Sequence, residues 1–296
     1  MDNPLVYIVI LAWNHKETTI ECIKSFCDTD YTNFNLLVVD NGSTDSTYQV
    51  IVNQFPTIEI IQSEKNLGIA GGYNLGIQEA LKNNAEHVLI TNNDVIVNSD
   101  LVTHLVEALN ISPDVGMVMP KIYHYYGDKT RLWCTGGRWR KFPPEVKMMG
   151  YNVKDSKKWS YIKEIDFAPS CTLLIRSEVL NKLEGFDENY FFYNDDWDFS
   201  VRLRALGYKI LFVPNAKVWH KVSISTQKSD RPEYWWMQMG HSSVLFYLKH
   251  VNLVSLLVYI AWFILRETLK LKINKISPFL KGARQRFEEM EAKQRV

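Results

Sequence analysis

Residues 34–45 read FNLLVVDNGSTD. A stretch of strand length, Phe34 to Val39, runs straight into a polar turn, Asp40-Asn41-Gly42-Ser43-Thr44-Asp45. Asx and Ser residues favour such turns and cap helices, so Ser43 or Asp45 is expected to start the next element. Tyr48, Ile51 and Phe55 then recur at helical spacing. One strand, one acidic turn and one helix make half of a βαβ unit.

The same alternation extends both ways. Upstream, Leu5 to Ala12 is a continuous apolar run, followed by a helical pattern from Lys16 to Cys27 with Ile20, Ile23 and Phe26 on one face. Downstream come a short strand at Ile58 to Ile61 and a glycine-rich stretch, NLGIAGGYNLGI (66–77), opening a helix to about Leu81. A strand follows at His87 to Thr91, then the turn Asn92-Asn93-Asp94, a helix from Asp100 to Leu109 and a strand from Val115 to Met119. Apolar strands alternating with helices predict an α/β, mostly parallel sheet covered on both faces. Ligands in such sheets sit beyond the carboxyl ends of the strands. Asp40 and Asp94 both fall on that rim.

Residues 120–165 change character. Tyr, Trp, Lys and Arg dominate, with Gly136-Gly137 and Pro143-Pro144, which predicts an irregular, mobile insertion with one or two short strands. The apolar pattern resumes at Ser170 to Ile175, followed by a short helix near Glu178 to Leu183. After the aromatic run 190–193, Asn194-Asp195-Asp196-Trp197-Asp198 opens a helix that ends at Gly207, a good terminator. Lys209 to Val213 is a strand, and Val218-Trp219-His220 follows.

The C-terminal part is different material. Val251 to Leu265 is an apolar run bounded by charge, fifteen residues long, short of the roughly 20 that span a bilayer. Residues 266–296 carry nine Lys/Arg against four Glu. The net charge of +1 hides this asymmetry, and it removes the usual argument for a nucleic-acid binder. Four scattered cysteines with no CxxC pair make neither a disulfide framework nor a zinc site. No basic n-region precedes the first apolar run, so no secretory signal is expected and the default compartment is a reducing cytoplasm.

Each polar cluster has an ordinary structural use. The 40–45 turn caps a helix. The glycines let a helix approach a sheet, and they match neither a G-x-G-x-x-G fingerprint nor a Walker loop. First-turn acids complement a helix dipole, but Asp195, Asp196 and Asp198 are more acid than capping needs. A surplus carboxylate at a pocket rim is a candidate general base. Asp94 offers one oxygen to a hard divalent cation that arrives with phosphate. A neutral His220 suits completion of such a site.

In order and spacing, the segments VVDNGSTDST (38–47), NLGIAGGYNLGI (66–77), ITNNDVIV (90–97), residues 173–220 and YLKHVN (247–252) carry a resemblance. The chain resembles the family-two inverting glycosyltransferases with a GT-A fold, a Rossmann-like, mostly parallel sheet covered by helices. Within them it is similar to rhamnosyltransferases of bacterial surface polysaccharides. The resemblance implies that Asp40 contacts the nucleobase and that Asn66 to Gly72, with Gly71 and Gly72, lie near the nucleotide. It puts Asn92 and Asp94 in the metal turn, with Asn92 and Asn93 contacting the donor, Asp94 on Mg²⁺ or Mn²⁺ and His220 as a second ligand. Asp196 matches the catalytic base, with Asp195 where the family usually has Glu. Asn92 stands where Asp is usual, so the turn lacks one carboxylate.

These readings predict a GT-A domain over 1–232, divided into a nucleotide-binding half (1–119) and an acceptor half (120–232). A C-terminal helical element, 233–296, is expected at the inner face of the cytoplasmic membrane or in a homodimer contact. The expected donor is dTDP-rhamnose or a UDP-sugar, and the acceptor a glycan or lipid-linked hydroxyl. A nucleotidyltransferase would need a Gly-rich basic loop after the first strand, where Trp13-Asn14-His15-Lys16-Glu17 stands instead. A non-catalytic glycan-binding scaffold on the same fold is the remaining alternative.

Overall fold

The computed structural model describes residues 3–221 and 232–294. Four parallel strands form its centre: β1 (Val6–Ala12), β2 (Phe34–Asp40), β3 (Glu59–Gln62) and β4 (His87–Asn92), in the order β4-β1-β2-β3. Between them run α1 (Lys16–Cys27), α2 (Thr47–Gln54) and α3 (Gly68–Lys82). Successive residues of β1 feed opposite faces of the sheet. Tyr7, Val9 and Leu11 pack with α3, while Val6, Ile8 and Ile10 pack with α1. Both faces are covered, which is why the strand is apolar throughout. The helix α3 comes very close to the sheet. A Cβ on Gly76 would stand 2.2 Å from Val9 Cγ1, so only glycine fits.

The sheet then becomes mixed. After β5 (Val95–Val97) and α4 (Leu101–Leu109), β6 (Val115–His124) continues five residues beyond the expected end at Met119. Next come β7 (Arg131–Cys134), β8 (Gly137–Lys141), β9 (Pro144–Met148), β10 (Val153–Lys154) and β11 (Lys163–Ile165). The irregular insertion expected over 120–165 is therefore an ordered set of short strands. Two- to five-residue strands carry no readable period, and one of them, β11, pairs with β13 about 45 residues on. The strand β12 (Thr172–Arg176) runs antiparallel between β4 and β6. After α5 (Ser177–Leu183) and α6 (Asp195–Ala205), β13 (Lys209–His220) is one bulged strand, where two separate segments were expected. It pairs with β6 and, antiparallel, with β5.

Three helices close the chain: α7 (Pro232–His250), α8 (Leu253–Leu269) and α9 (Ile276–Gln294). They do not stand apart from the sheet-bearing body. Val244, Phe246 and Tyr247 of α7 share one core with Val146, Phe167 and Tyr190. The helices α7 and α9 touch backbone to backbone, since a Cβ on Gly240 would sit 1.9 Å from the Phe279 carbonyl oxygen. The expected boundary at 232/233 adjoins residues 222–231, which lie outside the described residues.

Candidate active site

Two adjoining cavities open at the carboxyl rim of the sheet. The first, about 270 Å³, is lined by Asn41, Asn66, Asn92, Asn93, Asp94 and His220, with Trp13, Trp133, Tyr193 and Trp235 among its aromatic walls. The second, about 340 Å³, holds Asp195 and Asp196 and shares Asn92, Trp133, Tyr193 and His220 with the first.

Asp94 and His220 meet because β13 runs antiparallel to β5, with His220 opposite Val95. His220 Nε2 lies 3.0 Å from Asp94 Oδ1. Burial alone would raise the Asp94 carboxyl, but the imidazole and Lys221 bring it below its ordinary value. Among the described residues Asp94 Oδ1 meets the His220 imidazole alone, and His220 Nδ1 has no hydrogen-bond partner. A buried carboxylate oxygen left this way, with an imidazole beside it, is a donor set that fits a divalent cation. No group of three or more His, Cys, Asp or Glu suited to a metal occurs among the described residues, so those residues offer two ligands at most from these types.

The rest of the 92–94 turn is tied to its neighbours. Asn93 Nδ2 donates to the Asn14 carbonyl (3.2 Å) and to Thr19 Oγ1 (2.8 Å). Asn14 holds three loops at once, because its Oδ1 accepts from the Thr44 amide at 2.8 Å and its own amide donates to Ser43 Oγ at 2.7 Å. Asn14 and His15 both adopt positive φ (58° and 61°), the conformation that turns β1 sharply onto this rim. Asp45 rather than Ser43 takes the first helical amide of α2, that of Thr47.

Three expected donor-site residues lie behind the wall. Asp40 is fully buried; its carboxylate accepts from the Ser43 amide (3.1 Å) and from Gln62 Nε2 (3.2 Å). The residue of that turn that reaches the cavity is Asn41. Gly71 and Gly72 are buried against Leu67, Leu11 and Asn41, the helix-packing use of glycine. Asn66 does line the cavity, and its Oδ1 accepts from the Gly68 amide at 2.8 Å.

Asp195 and Asp196 start α6 behind two strained residues, Tyr193 (φ 67°) and Asn194 (φ 62°). Positive φ is costly for a residue as bulky as tyrosine. The helix α7 holds this loop in place: Ser242 Oγ donates to the Phe192 carbonyl at 2.8 Å. Asp195 is buried, and Ser170 Oγ donates to it at 3.3 Å. Asp196 is half-buried on the cavity side and accepts from the Trp197 amide at 2.8 Å. Burial pushes both carboxyls up, and for Asp195 the neighbouring Asp196 charge adds to it. One of the pair therefore holds a proton more readily than an ordinary carboxylate does.

The third acid of the cluster has another task. Asp198 is fully buried and accepts from His250 Nε2 (2.6 Å), with Lys249 Nζ at 2.7 Å and Arg202 Nε at 2.7 Å. Burial opposes its ionisation, but the hydrogen bonds from His250 and Lys249 and the charge of Arg202 hold it down at about 2. Lys249 and His250 lie in the YLKHVN segment, so that motif locks α7 onto α6. Sequence alone marked Phe191 to Tyr193 only as an aromatic run, and gave no sign that Trp13 or Trp133 lines the cavity.

The model of the family described as Glycosyl transferase family 2 matches residues 7–183, more than half of the chain. The chain belongs to glycosyl transferase family 2. This glycosyltransferase is 25% identical over 224 residues to the N-acetylglucosaminyl-diphospho-decaprenol L-rhamnosyltransferase of Mycobacterium tuberculosis, covering 65% of this chain and 68% of that protein. Its fold is GT-A. The mannosyltransferase PcManGT from Pyrobaculum calidifontis, in complex with GDP-Man and Mn²⁺, superposes with a TM-score of 0.59 at 16% identity, over 97% of this glycosyltransferase and 88% of that chain. GalNAc-T7 with UDP, GalNAc and Mn²⁺ gives 0.60 at 15% identity, over 73% of this chain but only 43% of that one.

Proposed function

We propose that this glycosyltransferase moves a sugar, with inversion, from a nucleoside diphosphate donor to a hydroxyl of a glycan or lipid-linked acceptor. The observation that carries the reading is the pair of adjoining cavities, with Asp94 and His220 in one and the carboxyl pair 195–196 in the other. Asp94 and His220 would hold Mg²⁺ or Mn²⁺, which when bound offsets the charge growing on the departing diphosphate.

The second cavity receives the acceptor. Asp196, the less buried of the pair, takes the proton from the acceptor hydroxyl at its carboxylate oxygen. The freed oxygen bonds to the anomeric carbon from the face opposite the diphosphate, whose bond to that carbon breaks. A single displacement needs one base, unlike the paired acids of glycosidases. Asp195 stays behind it, held by Ser170. Asn41, Asn66 and the backbone of their turns cradle the nucleotide; Asp40 acts by fixing the turn that presents Asn41.

The similarity to a decaprenol-linked rhamnosyltransferase supports dTDP-rhamnose as donor and a surface-glycan acceptor, with a UDP-sugar second. A membrane-edge location is supported by α8. Val254, Leu257, Leu265 and Leu269 are exposed on it, and Lys270 and Lys272 follow at its end. An apolar face beside cations suits an anionic lipid surface. No helix among the described residues is long and apolar enough to cross a membrane.

The test is calorimetry of UDP- and dTDP-sugars against the protein in Mn²⁺ or Mg²⁺, repeated in EDTA. Binding of one donor that needs the metal is the expected result. Equal binding in EDTA would remove the cation from the reading, and no binding of any donor would favour a non-catalytic scaffold.

A further inference from the structure

Tyr73, on α3, is fully buried behind the junction of the two cavities. Its hydroxyl lies 2.7 Å from the Asn92 side-chain oxygen and 2.8 Å from the Ser170 carbonyl oxygen. A phenol carries one proton, and two oxygens cannot both accept it. Burial pushes the phenol well above its usual range, so that proton stays in place.

The Ser170 carbonyl is fixed by the backbone ahead of β12. The Asn92 amide has two ends of the same shape, and either can face the phenol. With its nitrogen toward Tyr73, Asn92 Nδ2 donates to the phenol oxygen while the phenol donates to Ser170. Each polar atom at the junction then has a partner, as buried groups require. The same turn of the amide swings Asn92 Oδ1 toward the cavity wall that Asn92 shares with Asp94 and His220.

We infer that Tyr73 is a positioning residue that holds Asn92 with its carbonyl oxygen, and not its NH₂ group, facing the donor cavity. The inference rests on reading that cavity as the site of the cation and diphosphate. An NH₂ group aimed there would oppose a cation, whereas an amide oxygen is a hard, neutral ligand or a hydroxyl acceptor. The turn that lacks a carboxylate at position 92 thus still presents an oxygen. The hydroxyl that does this also fixes Ser170, whose amide and Oγ contact Asp196 and Asp195.

The experiment uses the full chain as wild type, Tyr73→Phe, Asn92→Ala and the double variant. In NMR spectra, the Asn92 side-chain NH₂ signals, identified by their loss in Asn92→Ala, are expected to show NOEs to the Tyr73 ring in the wild type. Their exchange with D₂O should speed up about tenfold or more in Tyr73→Phe. NOEs to Trp133 in place of Tyr73 overturn the inference, and the wild-type spectrum decides this even if a variant fails to fold. In calorimetry with UDP and dTDP in Mn²⁺, each single variant should bind about tenfold more weakly, and the double variant no more weakly than Asn92→Ala. Losses that multiply in the double variant would mean that Tyr73 acts independently of Asn92, against the inference. A wild type that binds neither nucleotide would remove the donor-cavity reading, while the NMR result would still judge the Tyr73–Asn92 bond.

Discussion

His220 Nε2 stands 3.0 Å from Asp94 Oδ1, joining the end of the last strand to the turn after the fourth. Asp94→Ala should abolish metal-dependent nucleotide binding. His220→Ala should weaken it by at least about tenfold, or ~1.4 kcal/mol. Calorimetry in Mn²⁺ and in EDTA checks both, and unchanged binding in Asp94→Ala would take that residue out of the site.

Asp196→Asn should keep donor affinity and lose about 10²- to 10⁴-fold in transfer rate, the usual worth of a general base. Asp195→Asn should lose less, because that carboxyl is turned to Ser170. Single-turnover transfer rates separate the two. The reverse ranking would assign the base to Asp195.

The raised carboxyl pair sets the sign of two pH effects. A base must be deprotonated to act, so activity should rise with pH along a limb displaced above the usual carboxylate value of about 4. Stability should move the other way. The native state holds these protons more tightly than the unfolded chain does. The pair's contribution is therefore fully present below about pH 4 and is lost as pH rises through the raised native value. Asp195→Asn should melt higher than wild type at neutral pH, with the advantage shrinking in acid. Thermal melts from pH 4 to 8 read this directly.

Asp198→Ala should destabilise the fold by about 3–5 kcal/mol, since it leaves Lys249 and His250 facing a buried vacancy of charge. The depressed carboxyl gives the opposite linkage to the pair above. Its stabilising contribution is present above the unfolded value near 4 and is lost as pH falls toward about 2. Urea titration at pH 7 and pH 3 should show the variant's deficit narrowing in acid.

Leu257→Glu combined with Leu265→Glu should reduce pelleting with anionic vesicles and leave UDP and dTDP binding unchanged, because both residues are exposed on the outer side of α8. If wild type does not pellet and the pair of changes instead dissociates a dimer, the face is a protein contact.

The parallel sheet was legible because β1 and β2 are buried on both faces, so their apolar runs are continuous and their polar turns abrupt. Helix α1 came out at its observed bounds, Lys16–Cys27, since a 3.6-residue period over twelve positions is unambiguous. The strands between 120 and 165 were not legible. A strand such as β10, two residues long, exists only through its pairing with β7. The antiparallel placement of β12 between two other strands is likewise a tertiary choice.

For the candidate site, chain order marked Asp94, His220 and Asp196 because polar residues ending apolar strands or opening helices stand out. Local chemistry did not separate Asp196 from Asp198, which are two residues apart on one helix; only the family resemblance did. The arrival of Lys249 and His250 from α7 made Asp198 an anchor, while Asp196 was left beside the second cavity. Nor could sequence show that Asp40 is held behind the wall and Asn41 on it. The amino-acid sequence by itself determined the alternating elements and the carboxylates on their rim, because hydrophobic period and turn chemistry are local. Which carboxylate meets a cation, which a histidine and which a cavity was decided only by tertiary structure, because burial and charge pairing depend on segments that come together only in the folded chain.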